Sequence, residues 1–388
     1  MNALAASSAT WSKRSAALDQ AIDSALAQRR IVGAVVLVSQ HGQPVHQRAA
    51  GTADREAAQA MRTDTLFRYS SLTKPIVTAA VMALIEQGKL AFDQPVNQWL
   101  PAFRPRLANG TTPDISLHQL LNHTAGLSYT FKETADTPYH RDGIADGIRP
   151  SGTLTLAENT QRIAGAPLSF APGTAWRYSM ALDVLGAVIE QAAGEALPEA
   201  VARLVTAPLQ MRDTAFKVLD AGRLAAAYAN AEPQPERMSD PYTIPFGEGT
   251  SLAYSPSRAF DPQAFPSGGA GMTGSAPDML RFLETIRSGG GTILPAAATA
   301  QMLRNQTGTL ALDEIGPGWS FGYGGAVLTD PAAAQTPQSA GTWFWGGVYG
   351  HSWFVDPQQE LSVVALTNTA LEGMMGQFTL DVRNAVYA

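Results

Sequence analysis

The sequence predicts an α+β fold in which one antiparallel sheet draws strands from both ends of the chain and a mostly helical region is inserted between them. Strand-like segments gather near the two termini, short turns connect them, and the middle carries helical periodicity between loops rich in Pro and Gly. The length of 388 residues exceeds one small core and implies two lobes.

Each element has its own signal. From Trp11 to Gln28, Leu18, Ile22 and Leu26 recur at fourfold spacing, as on an amphipathic helix. Ile31 to Val38 is apolar and β-branched. The turn Gln40-His41-Gly42-Gln43 then leads back through Val45 to Ala50, forming a hairpin. Helical segments follow at Thr73–Gln87, Ser116–Asn122, Met180–Ala193 and Pro198–Leu204. The loops Phe131 to Gly152 and Ala231 to Gly271 are long enough to suggest function. Towards the far end Trp319, Phe321 and Tyr323 alternate along a strand. Further strands run at Trp343 to Val348, His351 to Val355 and Leu361 to Leu366, with a turn at Asp356-Pro357. A final helix carries Met374, Phe378, Val382 and Val386 on one face. Tight turns imply antiparallel pairing, and helices at both ends can cover the sheet. The expected division is a sheet domain, residues 1–81 and 246–388 with part of 131–173, and a helical domain, residues 82–245.

Composition narrows the function. The net charge is −6 and no basic block occurs, which argues against nucleic acid as a partner. The absence of cysteine removes disulfides, thiol catalysis and Cys-bound zinc. The six histidines show no metal-ligand spacing, and His118 and His123, five apart around a helix end, read as structural. No apolar run of about 18 residues is present to span a membrane. The N-terminal stretch lacks the basic start and apolar core of a signal peptide. A cytoplasmic protein without metal or cofactor is expected.

The chemistry centres on Ser71-Leu72-Thr73-Lys74. Ser71 precedes a strong helix in which Ile76, Val77, Ala80, Val81, Leu84 and Ile85 form a broad apolar face. Pro75 sits in its first turn and Gly88 at its end. Residues three apart share a helix face, so Lys74 stands one turn from Ser71. The free N–H groups at a helix start favour developing negative charge. To activate a serine, Lys74 must be partly neutral, a shift of about 3 pH units or roughly 4 kcal/mol. Burial beside a competing cation supplies such a shift. The plainer reading is a helix cap and a solvated lysine. Against it, Lys74 alone among five lysines has Ser three residues earlier, and its helix is apolar.

Two other segments bear on the site. Phe170-Ala171-Pro172-Gly173-Thr174-Ala175-Trp176-Arg177-Tyr178-Ser179 runs from a Pro-Gly loop into an apolar helix, with Tyr178 at the junction; by itself it also reads as a core tyrosine. Trp343-Phe344-Trp345-Gly346-Gly347-Val348-Tyr349-Gly350-His351 is a strand whose paired glycines admit close approach of a ligand or another backbone; by itself it also reads as a strand edge or bulge.

Together these segments resemble the serine hydrolases of the β-lactamase/transpeptidase-like fold, and most closely the family VIII carboxylesterases. The likeness runs in order from about residue 15 to 388. It includes Phe67 to Pro75, Leu120-Leu121-Asn122-His123-Thr124-Ala125-Gly126-Leu127, Pro266-Ser267-Gly268-Gly269-Ala270-Gly271-Met272 and Gly350 to Asp356. The resemblance implies Ser71 as nucleophile and Lys74 and Tyr178 as proton carriers. It implies the N–H groups of Ser71 and Val348 as oxyanion hole. Tyr129, Trp345, Gly346, Gly347 and His351 are expected to bind a small-molecule ester.

The departures from the β-lactamase pattern matter. Those enzymes carry a Lys-Thr-Gly strand whose cation holds the substrate carboxylate, and here Trp345 occupies the matching position. No lysine follows Lys217. The third position of their Tyr-x-Asn is Met180. A carboxylate-bearing substrate would lose a charged contact worth about 1.5–3 kcal/mol, whereas a neutral ester loses nothing. A carboxylic ester hydrolase acting on short neutral esters is therefore expected. The alternatives are a β-lactamase, a D-amino-acid peptidase or amide hydrolase, an acyltransferase, and a non-catalytic penicillin-binding-like module. Gly318-Trp319-Ser320-Phe321-Gly322 matches Gly-x-Ser-x-Gly, but no strand-to-helix elbow surrounds Ser320.

Overall fold

A computed structural model describes the backbone of residues 2–388 and the side chains of residues 11–388. At its centre lies an eight-stranded antiparallel sheet. In chain order its strands are β1 (Gly33–Gln40), β2 (Gln43–Asp54), β3 (Gln59–Ala60), β4 (Trp319–Phe321), β5 (Ala326–Leu328), β6 (Trp343–Gly347), β7 (His351–Asp356) and β8 (Leu361–Thr367). In space they run β4-β5-β6-β7-β8-β1-β2-β3. Strand β8 pairs with β1, Ala34 against Thr367 and Leu37 against Val364. The two ends of the chain thus meet in one sheet, as the sequence predicts, and the polypeptide between Met61 and Gly318 leaves that sheet and returns.

Helices cover both faces. Ala34, Val36 and Val38 of β1 share a core with Leu18 and Ile22 of the helix Asn2–Ala27 and with Phe378, Val382 and Val386 of the helix Gln377–Val386. Val35 and Leu37 face the other way, into the main core that includes Phe282 and Leu283 of the helix Ala276–Arg287. A strand buried on both faces has no polar side to alternate with, which explains the unbroken apolar run from Ile31. On that second face the core continues into the helices Thr73–Glu86 and Ala181–Ala193, which pack on each other.

Several boundaries differ from expectation. The first helix begins at Asn2. The last is broken at Gly376, which is extended, so Met374 belongs to a separate turn, Glu372–Met375. Strand β4 ends at Phe321; Tyr323 leaves the ladder to donate its N–H to the Met302 carbonyl at 2.9 Å. The helix expected from Pro198 runs Leu197–Val201 and widens into a π turn at Ala202–Thr206. The helices not anticipated include Leu156–Gly165, started by a Thr155/Glu158 capping box, Ala276–Arg287 and the shorter Pro138–Arg141 and Ala296–Met302. The long loop from Ala231 holds a hairpin, Tyr242–Gly247 paired with Thr250–Tyr254. Among the described residues no helix is long and apolar enough to cross a membrane, and no three His, Asp or Glu side chains converge as metal ligands would.

Candidate active site

The site begins at a turn held from two sides. The strand Leu66–Arg68 pairs with Thr273–Ser275, and the buried Tyr69 hydroxyl donates to the Ser275 carbonyl at 2.5 Å. Ser70–Leu72 then make one 3₁₀ turn before the helix Thr73–Glu86. Ser70 has φ +45°, a left-handed conformation that a side-chain-bearing residue adopts only when its surroundings impose it. Strand β6 is part of those surroundings. A Cβ on Gly347 would stand 2.6 Å from the Tyr69 carbonyl oxygen and 2.7 Å from Ser70 Oγ. The glycine therefore lets the strand lie directly against the turn that presents Ser71.

Lys74 is fully buried. Its Nζ donates to Ser71 Oγ at 3.2 Å and to the Gly269 carbonyl at 2.7 Å. Burial lowers its pKa to about 7; Asp183 opposes the shift, Lys132 adds to it, and Asp146 opposes it again. The required neutral lysine is thus available near neutral pH. Tyr178 donates its hydroxyl to Ser71 Oγ at 2.8 Å and accepts the Trp345 indole N–H at 3.2 Å. Burial pushes its phenol above the ordinary range, against the hydrogen bond to Ser71. The raised pKa keeps Tyr178 in its protonated form at rest.

This group opens into a cavity of about 530 Å³. Ser71, Tyr178, Trp345, Gly346 and Val348 line its inner side, with Phe131, Lys132, Phe246, Ile315 and Met374 around them. A Cβ on Gly346 would meet Met374 Cγ at 2.7 Å, so that glycine seats the methionine.

Three expected ligand-binding residues lie elsewhere. His351 is buried behind β6, its Nε2 2.9 Å from the Arg68 carbonyl and its ring edge-on to Phe67. Burial lowers its pKa to about 4, and it does not reach the cavity. Gly347 faces the nucleophile turn. Tyr129 is buried beneath the machinery, its ring centroid 5.3 Å from Lys74 Nζ and 5.1 Å from the Tyr178 ring. Gly347 and His351 are cross-strand partners, and at that end of the sheet the segment from Arg68 to Ser70 covers them. Ser320 lies within β4, donating to the Val327 carbonyl at 3.2 Å. His118 is held by Tyr323 and Asn122, and His123 faces Ser179.

Sequence reasoning missed Asp183, Lys132, Glu314, Phe246 and Ile315. Asp183 had a signal, being the one acid in the first turn of an apolar helix. It is fully buried, burial raises its pKa to about 6, and the Ser267 hydroxyl and Lys74 act against that rise. The other four sit on loops and one hairpin, where no periodicity marks which side chain turns inward.

Comparison with known proteins identifies the family and the fold. The Beta-lactamase family profile matches residues 18–386. Esterase EstB from Burkholderia gladioli is 54% identical over 375 residues, covering 96% of this chain and 95% of that one. The solved structure of EstCE1, described as a hydrolase with promiscuous acyltransferase activity, superposes with TM-score 0.94 at 48% identity, covering 98% of this chain and 100% of that one. Unliganded simvastatin synthase LovD from Aspergillus terreus shares the fold, with TM-score 0.73 at 22% identity over 97% of this chain and 98% of that one. The chain belongs to the beta-lactamase family, among the family VIII serine esterases built on that fold.

Proposed function

We propose that the protein hydrolyses short-chain neutral carboxylic esters through an acyl-enzyme on Ser71. One observation carries the reading. A single hydrogen-bonded group, Ser71–Lys74–Tyr178, opens into an apolar cavity, and an indole stands where a carboxylate-binding cation would be needed.

Neutral Lys74 takes the Ser71 proton as Oγ bonds to the ester carbonyl carbon. The oxyanion that forms lies towards the N–H groups of Ser71 and Val348. Its collapse breaks the bond to the alcohol oxygen, and Tyr178 supplies that oxygen with a proton, which Lys74 replaces. Water then enters. It loses a proton to the same pair as it attacks the acyl carbon, and Ser71 recovers its proton on leaving. The cavity volume exceeds that of a short acyl group and leaves room for a bulkier alcohol part. Trp345 serves twice, as a wall and as a donor that orients the Tyr178 oxygen.

The test is turnover of p-nitrophenyl acetate and butyrate. Wild type hydrolyses both, and Ser71→Ala loses at least about 10⁴-fold in kcat while its melting curve persists. Full activity in that variant sinks the reading. Acyl transfer to an alcohol is a second reading, favoured by the apolar cavity and by the description of EstCE1. Adding an alcohol acceptor and measuring the ratio of new ester to free acid separates the two.

A further inference from the structure

Two ammonium groups face the ring of Tyr178. Lys74 Nζ lies 4.7 Å from its centroid and Lys132 Nζ 5.4 Å. Lys74 comes from the nucleophile helix. Lys132 closes the short turn Thr130–Lys132, whose Phe131 and Lys132 line the cavity. The Lys132 ammonium is paired with Glu314, and both side chains line the same cavity as Ser71. Lys132 is the more sheltered partner, with 15% of its side chain exposed against 39% for Glu314. Strand β6 brings no cation to Tyr178; it brings the Trp345 indole N–H. The second positive charge beside the phenol enters from a loop instead.

A cation over an aromatic face is attracted to it and fixes the orientation of the ring. The same charge favours negative charge developing on the phenol oxygen and disfavours a second cation nearby. We propose that Lys132 is a positioning residue for the reaction at Ser71: held by Glu314, it orients the Tyr178 ring and keeps the shared proton from settling on Lys74. The inference rests on the acyl-enzyme reading above.

The other charges around Lys74 set the direction of the effect. Asp183, from the helix Ala181–Ala193, and Asp146, from the loop before Gly147, hold a proton on Lys74, and Lys132 drives it off. Tyr129 and Tyr178 face Lys74, and buried His123, pushed well below its ordinary pKa, adds no charge near neutrality. Lys132 itself is surrounded by Glu314, Arg177 and Glu133, and burial lowers it to about 8. It therefore remains largely charged at pH 7. Without it the two acids act on Lys74 unopposed, and Lys74 holds its proton to higher pH.

The experiment is the pH dependence of kcat/KM for p-nitrophenyl butyrate in wild type, Lys132→Met, Lys132→Gln and Lys132→Arg. In both neutral variants the acid limb moves up by about half a pH unit or more, so that activity lost at pH 6.5 largely returns at pH 8.5. Lys132→Arg keeps the charge and returns the limb to the wild-type position. A merely structural role would lower the rate by the same factor at every pH. Acid limbs within about 0.2 unit of wild type in both neutral variants overturn the proposal, whatever happens to the rate. The second-order rate of Ser71 labelling by a fluorophosphonate, followed by mass, reads the same limb without ester turnover. Absence of ester hydrolysis in wild type would therefore count against the esterase reading and leave this test standing.

Discussion

The two walls of the cavity are built on different terms. The inner wall is the nucleophile turn, the helix Thr73–Glu86 and the end of β6, where Lys74 is fully buried and Gly347 touches the turn backbone. The outer wall is made by Phe246 of a hairpin, Ile315 of a loop and the Met374-Met375 pair, with Met375 62% exposed. The inner wall is close-packed, so its atoms have little room to move. The outer wall is mostly apolar apart from the Lys132–Glu314 pair, partly exposed, and assembled from loops and a hairpin. The difference teaches that proton handling depends on close contact, whereas substrate choice depends on surface that can change without disturbing it.

Substitutions at the two walls should therefore separate. The largest effect is expected at Gly347→Ala. The added methyl would press on the Tyr69 carbonyl at 2.6 Å and on Ser70. A displaced nucleophile should lose about 100-fold in kcat/KM, and the crowding should cost about 1–3 kcal/mol of stability. Ester assays and thermal melts read both, and wild-type values for both would break the claim that this contact positions Ser71.

Next comes pH. Lys74 must be neutral to accept the serine proton, and burial brings it to about 7. Below that value kcat/KM should fall about tenfold for each pH unit, and above it the profile should flatten. A limb near the ordinary lysine value would remove Lys74 from the role of base. Because His351 is lowered to about 4 by burial, it should add no inflection in this range.

Trp345→Phe keeps the ring and removes the N–H that reaches the Tyr178 hydroxyl. One hydrogen bond between neutral groups is at stake, so kcat should fall about 2- to 10-fold. Steady-state kinetics with one ester suffices to measure it. The smallest effect is expected at Met375→Ala on the outer wall. Turnover of the acetyl ester should stay within about twofold and stability within about 0.5 kcal/mol, while the hexanoyl ester shifts more in KM. Equal shifts for both esters would show that the two walls are not independent.

The same division decides how much the sequence disclosed. The inner wall was legible because its residues sit on regular elements with spacing rules: Ser71 and Lys74 on one helix face, Tyr178 at a helix start, glycines within a strand. The closing of the sheet by segments from both ends was legible because β1 and β8 are apolar runs bounded by turns. His351 and Gly347 lie off the cavity because the segment from Arg68 to Ser70 covers that end of the strand pair, a long-range contact that no local pattern marks. The hairpin at Tyr242 and the residues Lys132, Glu314 and Ile315 were not legible. Their positions depend on where long loops return in space, and that is set by the folded neighbours more than by local preference. Asp183 was overlooked despite its place in an apolar helix, where an acid has to have a buried reason.

The pairing of β8 with β1 has a consequence for how the protein is made. On the ribosome the turn bearing Ser71 emerges early, soon after β1 to β3, while β8 emerges only after β4 to β7 have appeared. Until then β1 has an open edge on the side that β8 will occupy, and the sheet against which the helix bearing Met279 and Phe282 packs is incomplete. Contacts so distant along the chain form slowly, and an apolar strand with a free edge is the part of a nascent chain most exposed to wrong partners. Hydrolytic competence should therefore appear late and nearly all at once during synthesis, when β8 slots between β7 and β1.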